Sequence, residues 1–589
     1  MTAPLPSTPQ PLSADERARA AAAAFDNRWS TAITRATGGL SPIALSLAYV
    51  DWALHLLSQP AQTSRLVAKA QQSALTVLAQ SLGQATPETS RDSRFTNPAW
   101  QHLPWLPLVN ATHAAENWWS EATALRGMDA HHQEMTRFFA RQWLDMLSPA
   151  NWGLANPEVL ERTAQRHGAN LLDGSFNALD SWRQNHGLPA LRAPERPYQP
   201  GQDVATTPGQ VVYRNHLVEL IQYAPITPQV QAEPIFIVPS WIMKYYILDL
   251  SPENSMVRWL VSQGHTVFIL SWRNPDESDA QLTLGDYLEL GVFDALAAIG
   301  RLLPGEAVQA CGYCLGGTLL SIAAAALARP GQVARAAQLP ELKTVTLLAA
   351  ETDFSEPGEM GVLIDESQVA LLENMMAERG FLTGSQMAGS FAYLHSRDLV
   401  WSQKLREFWL GEPNQPNDLM AWNADTTRMP AAMHSEYLRR CYLRNELAEG
   451  RFPVEGRPVA LSDLAQPLFV VGTEKDHVSP WKSVYKIHRL ADCEITFALA
   501  TGGHNAGIVS EPGHPRRHYA LRQREANGAW VAPEDWAAGA TQHEGSWWLA
   551  WHEWLLGHSR GQVSAEARIP AENAELGAPG SNVLVRYFD

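Results

Sequence analysis

Cys311 and Cys314 stand three apart in the stretch VQACGYCLGGTLLSIAAAALARP, Val308 to Pro330. A C-x-x-C can be a redox dithiol, half of a zinc site, or two thiols with separate fates. Zinc needs four ligands, and the remaining cysteines, Cys441 and Cys493, stand alone with no second C-x-x-C. A redox pair usually opens a helix with its first cysteine reactive. Here Cys311 falls inside an apolar run that reads as a strand, where its side chain is expected to be buried. Cys314 falls between that strand and an Ala-rich helix. Its surroundings, Gly312-Tyr313-Cys314-Leu315-Gly316, spell G-x-C-x-G, the nucleophile-elbow pattern with Cys in place of Ser. The glycines have a physical role: a side chain at Gly312 or Gly316 would collide with the neighbouring strand or helix. The turn aims the sulfur out of the sheet, over the N-terminus of the following helix, where negative charge is favoured.

An elbow calls for an acid and then a histidine, each after a later strand. PLFVVGTEKDHVSPW presents Asp476, and EITFALATGGHNAGIVS presents His504. A lone Asp or His is commonly a cap or a surface group. Three groups in the elbow's order, each just beyond a strand, make a nucleophilic triad the better reading. His477 and Glu474 lie close enough to Asp476 to compete with it.

The elements that must hold these residues can be read from periodicity. Six short apolar runs read as strands: 234–238, 266–270, 307–313, 344–349, 467–472 and 494–499. Helical patterns such as LGDYLELGVFDALAAIGRLL separate several of them. Continuous apolar strands alternating with helices imply a parallel sheet covered on both faces. Between 350 and 460 the alternation stops, and a Trp-, Asn-, Met- and Leu-rich segment reads as a helical insertion over the sheet's edge. Residues 1–12 are Pro-rich and expected to be disordered. Ser13-x-x-Glu16 resembles a capping box, and helical patterns continue to about 190. In GLSPIALSLAYVDWALHLL, Ser41 can cap and Pro42 suits the first helical position. Ile43, Leu47, Val50, Leu54 and Leu57 there form an apolar stripe, which either packs on the domain or docks on an apolar surface. LRAPERPYQPGQD reads as a linker.

The 589 residues carry 45 Lys+Arg against 61 Asp+Glu, a net charge of −16. That balance argues against a nucleic-acid partner, which needs basic patches. Four cysteines make no disulfide framework, so a reducing, cytoplasmic setting is expected. The N-terminus lacks a signal-peptide pattern, and no apolar run reaches the roughly 18 residues of a membrane span.

Many stretches together resemble the single-subunit polyhydroxyalkanoate synthases: SRFTNPAW, MLSPANWGLANPE, LIQYAPITPQV, KYYILDLSPENSMVRWLVSQGHTVFILSWRNPD, GYCLGG, RDLVW, AWNADTTRMPAAMHSEYLR, GTEKDHVSPW, GGHNAGI and HEGSWW. The resemblance spans roughly 90 to 560, and residues 13–60 resemble an N-terminal extension seen on some of these synthases. It implies an α/β-hydrolase fold with a helical N-terminal region (1–195), a catalytic core (196–350 and 460–589) and a helical cap insertion (351–459). By the same carry-over Cys314 is the acyl-carrying nucleophile, His504 the base and Asp476 the third member. The implied substrate is a 3-hydroxyacyl-coenzyme A, short-chain in GYCLGG and medium-chain in NADTTRMPAAMH. The implied partners are the growing polyester with its granule surface and a second copy in a homodimer. No cofactor and no metal are called for.

Thioester exchange suits cysteine, because transfer to Cys314 conserves the activation of the acyl group. The Leu315 N–H is expected to donate to the oxyanion, with a second donor from the Trp241–Ile242 region. One departure stands out. The family's usual Pro-Pro-x-Ile-Asn-Lys is here Pro239-Ser240-Trp241-Ile242-Met243-Lys244, and Trp241 is expected to narrow the acyl pocket. Trp422 in MAWN matches a family tryptophan and is a candidate for substrate contact or for the core. A thioesterase on the same fold and a non-catalytic granule-binding protein are the competing readings.

Overall fold

The computed structural model describes residues 13–37, 39–83, 92–185, 188, 191–192, 198–332, 337–387, 401–412, 417–570 and 576–586. Residues 1–12, much of the expected linker and most of RDLVW lie outside the described residues.

All six apolar runs form strands, and four more flank them. The sheet's strands are β1 (Gly209–Arg214), β2 (Val218–Tyr223), β3 (Ile235–Val238), β4 (Val267–Trp272), β5 (Val308–Tyr313), β6 (Leu342–Leu348), β7 (Leu468–Thr473), β8 (Ile495–Ala500), β9 (His518–Arg524) and β10 (Thr541–Glu544). Their spatial order is β1-β2-β4-β3-β5-β6-β7-β8-β9-β10. Neighbours from β4 to β8 pair in parallel, while β1, β2, β9 and β10 add antiparallel pairings at the two edges.

The central strands are buried on both faces, which is why their sequences run apolar without alternation. Phe236, Val238, Ala310, Leu347 and Val470 join one core with α9 (Asp294–Leu302) and α10 (Leu315–Ala328). Ile235, Ile237, Cys311, Leu348 and Val471 join the other with α8 (Met256–Ser262) and Trp547, Trp548, Trp551 and Leu555 of a C-terminal helix, Trp547–Gly557.

Among the described residues seven α-helices precede the sheet: α1 (Ala14–Ala36), α2 (Pro42–Ser58), α3 (Pro60–Ser81), α4 (Leu106–Ala122), α5 (Ala130–Leu147), α6 (Pro157–Gln165) and α7 (Ala169–Asn185). Ser41 caps α2 through its hydroxyl, which accepts from the Ala44 N–H at 3.3 Å, and Pro42 occupies the first helical position. The α2 stripe does not pack on the domain. Ile43, Leu47, Val50, Leu54 and Leu57 are all exposed, Leu57 at 79%. The packing face is the small one instead: Ala44 and Ala48 are buried with Met135, Phe138 and Phe139 of α5. Two alanines let the helices approach closely, and the bulky residues are left outside.

Between β6 and β7 the described residues alternate helices with turns and loops, and include α11 (Glu366–Met376) and α12 (Ala431–Tyr437). The N-terminal helices lean on this segment. The Gln368 side chain accepts from the Ser41 N–H and donates to the Gly39 carbonyl, both at 2.7 Å. Asn170 and Asn177 of α7 donate to the carbonyls of Trp409 and Glu407.

Candidate active site

Cys314 sits at the junction of β5 and α10 with φ 52° and ψ −126°. That left-handed conformation is strained for a residue with a Cβ, by about 1–3 kcal/mol. The strain is held by hydrogen bonds on both sides. The Cys314 N–H donates to the Leu348 carbonyl of β6 at 2.8 Å, and its carbonyl accepts from Gly317 and Thr318. The glycine requirement is severe. A Cβ on Gly316 would lie 2.1 Å from the Val238 carbonyl oxygen at the end of β3, and one on Gly312 would lie 2.4 Å from Gly317 Cα. The elbow therefore closes only with backbone against backbone.

Asp476 and His504 arrive from strands two and three places along the sheet from β5, in the chain order the elbow calls for. Asp476 follows β7 and His504 follows β8. The His504 Nδ1 meets the Asp476 carboxylate at 2.8 Å, and the ring lies within electrostatic reach of the Cys314 sulfur. With Nδ1 on the carboxylate, Nε2 is left for the sulfur. Asp476 is itself fixed by the Thr473 hydroxyl at 3.1 Å and the amides of Val478 (2.9 Å) and Ser479 (2.8 Å). Burial alone would raise the Asp476 pKa, but the His504 charge and these donors hold it below the usual carboxylate range. Burial alone would lower the His504 pKa, and the Asp476 carboxylate and the Cys314 sulfur overcome it and raise it well above the ordinary value. The result is an imidazole held between a carboxylate and a sulfur, able to take a proton from a thiol or hydroxyl and pass it to a leaving group.

The competitors of Asp476 stand outside this arrangement. Glu474 is exposed, with His518 3.7 Å away, and His477 is exposed. Cys311 points away from the chemistry. It is 1% exposed within β5, and burial pushes its thiol pKa far up. All four cysteines are free. Among the described residues, Asp92, His113 and Glu116 are grouped as metal ligands could be, remote from Cys314 in sequence. Arg94 already lies among them, 2.6 Å from Asp92 and 2.7 Å from Glu116, so a cation of the protein's own already occupies the cluster.

The loop after β3 carries Trp241 and Ile242, while Leu315 and Trp422 come from other elements. Leu315 opens α10, and the first amides of a helix have no intrahelical acceptor. Trp241 is buried, with ring centroids 5.5 Å from Tyr287, 6.3 Å from Tyr437 and 6.4 Å from Trp272. Its indole nitrogen has no hydrogen-bond partner. The Ile242 N–H faces the Ser240 hydroxyl at 3.4 Å. Thr427 stitches this loop to the insertion: its hydroxyl donates to the Trp241 carbonyl at 2.5 Å and its N–H to the Ile242 carbonyl at 2.9 Å. Trp422 is buried in the other core, and its indole donates to the Lys244 carbonyl at 2.7 Å. It braces the far end of the same loop.

Sequence reasoning passed over Tyr313 and Asn505, although both lay inside quoted motifs. The Tyr313 hydroxyl donates to the Asn505 side chain at 2.6 Å. It also passed over Tyr437, inside the quoted AWNADTTRMPAAMHSEYLR, and Glu351 and Tyr442, whose positions no motif marks.

The strand order and the elbow define an α/β-hydrolase fold in which the nucleophile position holds cysteine. Comparisons with known proteins agree. The family described as alpha/beta hydrolase fold matches residues 233–511. "Poly-beta-hydroxybutyrate polymerase (PhaC) N-terminus" matches 91–260, and "Poly-beta-hydroxybutyrate polymerase N terminal" matches 20–62. The poly(3-hydroxyalkanoate) polymerase of Methylorubrum extorquens is 38% identical over 491 residues, 83% of this chain and 78% of that one. The poly(3-hydroxyalkanoate) polymerase subunit PhaC of Cupriavidus necator is 36% identical, covering 82% and 80%. Poly(3-hydroxyalkanoate) polymerase 2 of Ectopseudomonas oleovorans is 31% identical, covering 84% and 87%. The chain belongs to the poly(3-hydroxyalkanoate) polymerase family and is an enzyme of acyl transfer.

Proposed function

We propose that this enzyme polymerises (R)-3-hydroxyacyl-coenzyme A, the four-carbon substrate foremost, with release of coenzyme A through an acyl group carried on Cys314. The observation that carries the reading is the His504 Nδ1–Asp476 contact at 2.8 Å, within electrostatic reach of Cys314 at the elbow, in a member of this family. In acylation the Cys314 sulfur attacks the thioester carbonyl, the carbon–sulfur bond to coenzyme A breaks, and His504 returns the proton to the leaving thiolate. In elongation a 3-hydroxyl oxygen attacks the Cys314 thioester, its proton passes to His504, and the cysteine thiolate leaves. Asp476 stabilises the imidazolium in both steps. The Leu315 N–H and an amide of the 241–242 loop receive the oxyanion. Trp241 bounds the acyl chain, and Trp422 supports it through the loop it braces.

Water must be kept from the acyl-enzyme, because hydrolysis would waste it. Residues 351–459 serve as that cover over a core of 196–350 and 460–589, with 1–195 as the helical N-terminal region. Residues 13–60, with the exposed α2 stripe, suit contact with the apolar product and its granule surface. The enzyme acts as a homodimer in the cytoplasm. No helix among the described residues is long and apolar enough to cross a membrane.

Coenzyme A release from 3-hydroxybutyryl-coenzyme A, with the product recovered and sized, tests the reading. Polymer supports it. Stoichiometric free hydroxy acid would make the enzyme a thioesterase, and no coenzyme A release would leave a binding protein.

A further inference from the structure

Glu351 lies three residues beyond the end of β6. That strand runs between β5, which delivers Cys314, and β7, which leads to Asp476; Leu348 is aligned with Tyr313 on one side and Val471 on the other. The backbone there is fastened to the nucleophile's helix, since the Thr318 hydroxyl donates to the Glu351 carbonyl at 2.7 Å. The side chain is 4% exposed, and its Oε1 is buried without a hydrogen-bond partner. Leaving a carboxyl oxygen so is costly unless something else fills the place.

The groups whose charges it feels are Asp476, Cys314, His504 and Lys486. Lys486 is engaged elsewhere, with the Ser355 hydroxyl at 2.8 Å and Glu356 at 2.7 Å. An ionised Glu351 would therefore face the Asp476 carboxylate with no cation bound to it. Burial first, then Asp476 and the Cys314 sulfur, raise its pKa well above the usual carboxylate range and keep it protonated. Tyr442 lies within its electrostatic reach as well. The walls nearby are aromatic: the Phe354 and Tyr442 centroids are 5.1 Å apart, and the Tyr437 and Tyr442 centroids 5.4 Å.

A neutral carboxyl both donates and accepts, and so does an alcohol. We propose that the Glu351 carboxyl is a specificity residue that hydrogen-bonds the 3-hydroxyl of the acyl unit being loaded on Cys314, selecting hydroxylated over plain acyl thioesters. The inference rests on the acyl-coenzyme A reading above. The acyl carbonyl is taken by the oxyanion donors, so the 3-hydroxyl is the polar group of the acyl unit that still needs a partner. A site built around such a pair rejects the analogue lacking the hydroxyl, because its own polar atom is then left buried and unpaired.

The test is single-turnover coenzyme A release from 3-hydroxybutyryl- and butyryl-coenzyme A by the full-length wild type, E351Q, E351L and E351M. The wild type is expected to favour the hydroxylated thioester. E351L and E351M should cut that preference roughly 10- to 100-fold by slowing the hydroxylated substrate alone. E351Q, which keeps a donor and an acceptor, should stay within about threefold of the wild type. Two apolar variants of different shape, each checked by thermal melting, guard against one that fails to fold. A preference unchanged in a folded E351L or E351M, or both substrates slowed equally, overturns the proposal while leaving the polymerase reading standing. No release by the wild type from either thioester overturns both.

Discussion

The Tyr313 hydroxyl donates to the Asn505 side chain at 2.6 Å, tying the residue before the nucleophile to the residue after the histidine. The two rings of Tyr313 and His504 lie 5.7 Å apart, tilted by 34°. The bond therefore sets where the base stands relative to the sulfur. Tyr313→Phe leaves the half-buried Asn505 acceptor without this donor and loosens that placement. Acylation should slow about tenfold, the effect of a lost hydrogen bond of ~1.5 kcal/mol. Asn505→Ala should act alike. The double variant should be no worse than either single one, since both remove the same bond; additive losses in single-turnover rates would refute the link.

The two cysteines of the C-x-x-C should separate cleanly. Cys314→Ala should abolish coenzyme A release. Cys311→Ala removes a buried core thiol within β5 and should cost only about 1 kcal/mol of stability, with activity largely retained. Melting curves beside activity check this. Equal loss in both, with the fold intact, would restore the redox pairing.

Asp476→Asn tests how the histidine is charged and oriented. Asp476 Oδ1 accepts from two backbone amides and Oδ2 faces His504 Nδ1. An asparagine that keeps the amide bonds must turn its NH2 toward Nδ1, which forces the proton onto Nε2, facing the sulfur. The peak rate should fall on the order of 10³- to 10⁴-fold. The loss of the negative charge also removes the strongest influence raising the His504 pKa. The basic limb of the acylation profile should move to lower pH, because less alkali then discharges the imidazolium. A limb that stays in place would mean that Asp476 does not set the charge of His504.

The grouping of Cys314, Asp476 and His504 was legible because each follows a short, fully buried strand in a fixed chain order, and the elbow's glycines mark their own necessity. The edge strands β1, β2, β9 and β10 were not. They are antiparallel and more polar, as in His518–Arg524 and Thr541–Glu544, so no continuous apolar run announces them. The α2 stripe was visible, but the sequence could not say which way it faced. Two alanines offering close approach decided that, and bulk hydrophobicity was a poor guide. Glu351 was illegible for another reason. A glutamate after a strand reads as a surface residue, and only the tertiary placement of β6 between the two catalytic strands buries it.

Glu351 also predicts a pH dependence of stability. Its folded-state pKa lies above its unfolded value, about 4.3 for a free glutamate. Its contribution to stability is thus complete below pH ~4.3 and is lost as pH rises, because the unfolded chain gives up the proton first. Glu351→Gln removes this loss. The melting temperature of the variant, relative to the wild type, should climb between pH 4 and pH 8. Asp476, whose pKa is shifted down, acts with the opposite sign but is common to both proteins. Parallel melting curves across that range would show Glu351 to be ionised in the folded protein.

Trp241 is the residue on which chain-length selection should turn. It stands in the loop after β3, at the carboxyl ends of the strands where ligands of such sheets bind. The indole lies against Tyr287 and Tyr437, the latter from the insertion, so it fills space between the core and its cover. Removing it opens volume that a longer acyl chain can use, and each accommodated methylene is worth about 1–3 kcal/mol of discrimination. Trp241→Ala should raise activity on six- to ten-carbon 3-hydroxyacyl substrates relative to the four-carbon one. The same change removes a buried aromatic and should cost about 3–5 kcal/mol of stability, so Trp241→Phe is the companion variant, with a smaller shift in preference and a firmer fold. Specificity ratios measured beside melting curves separate the two effects. If a folded Trp241→Phe and a folded Trp241→Ala both keep the wild-type ratio, the indole is packing alone and does not set chain length.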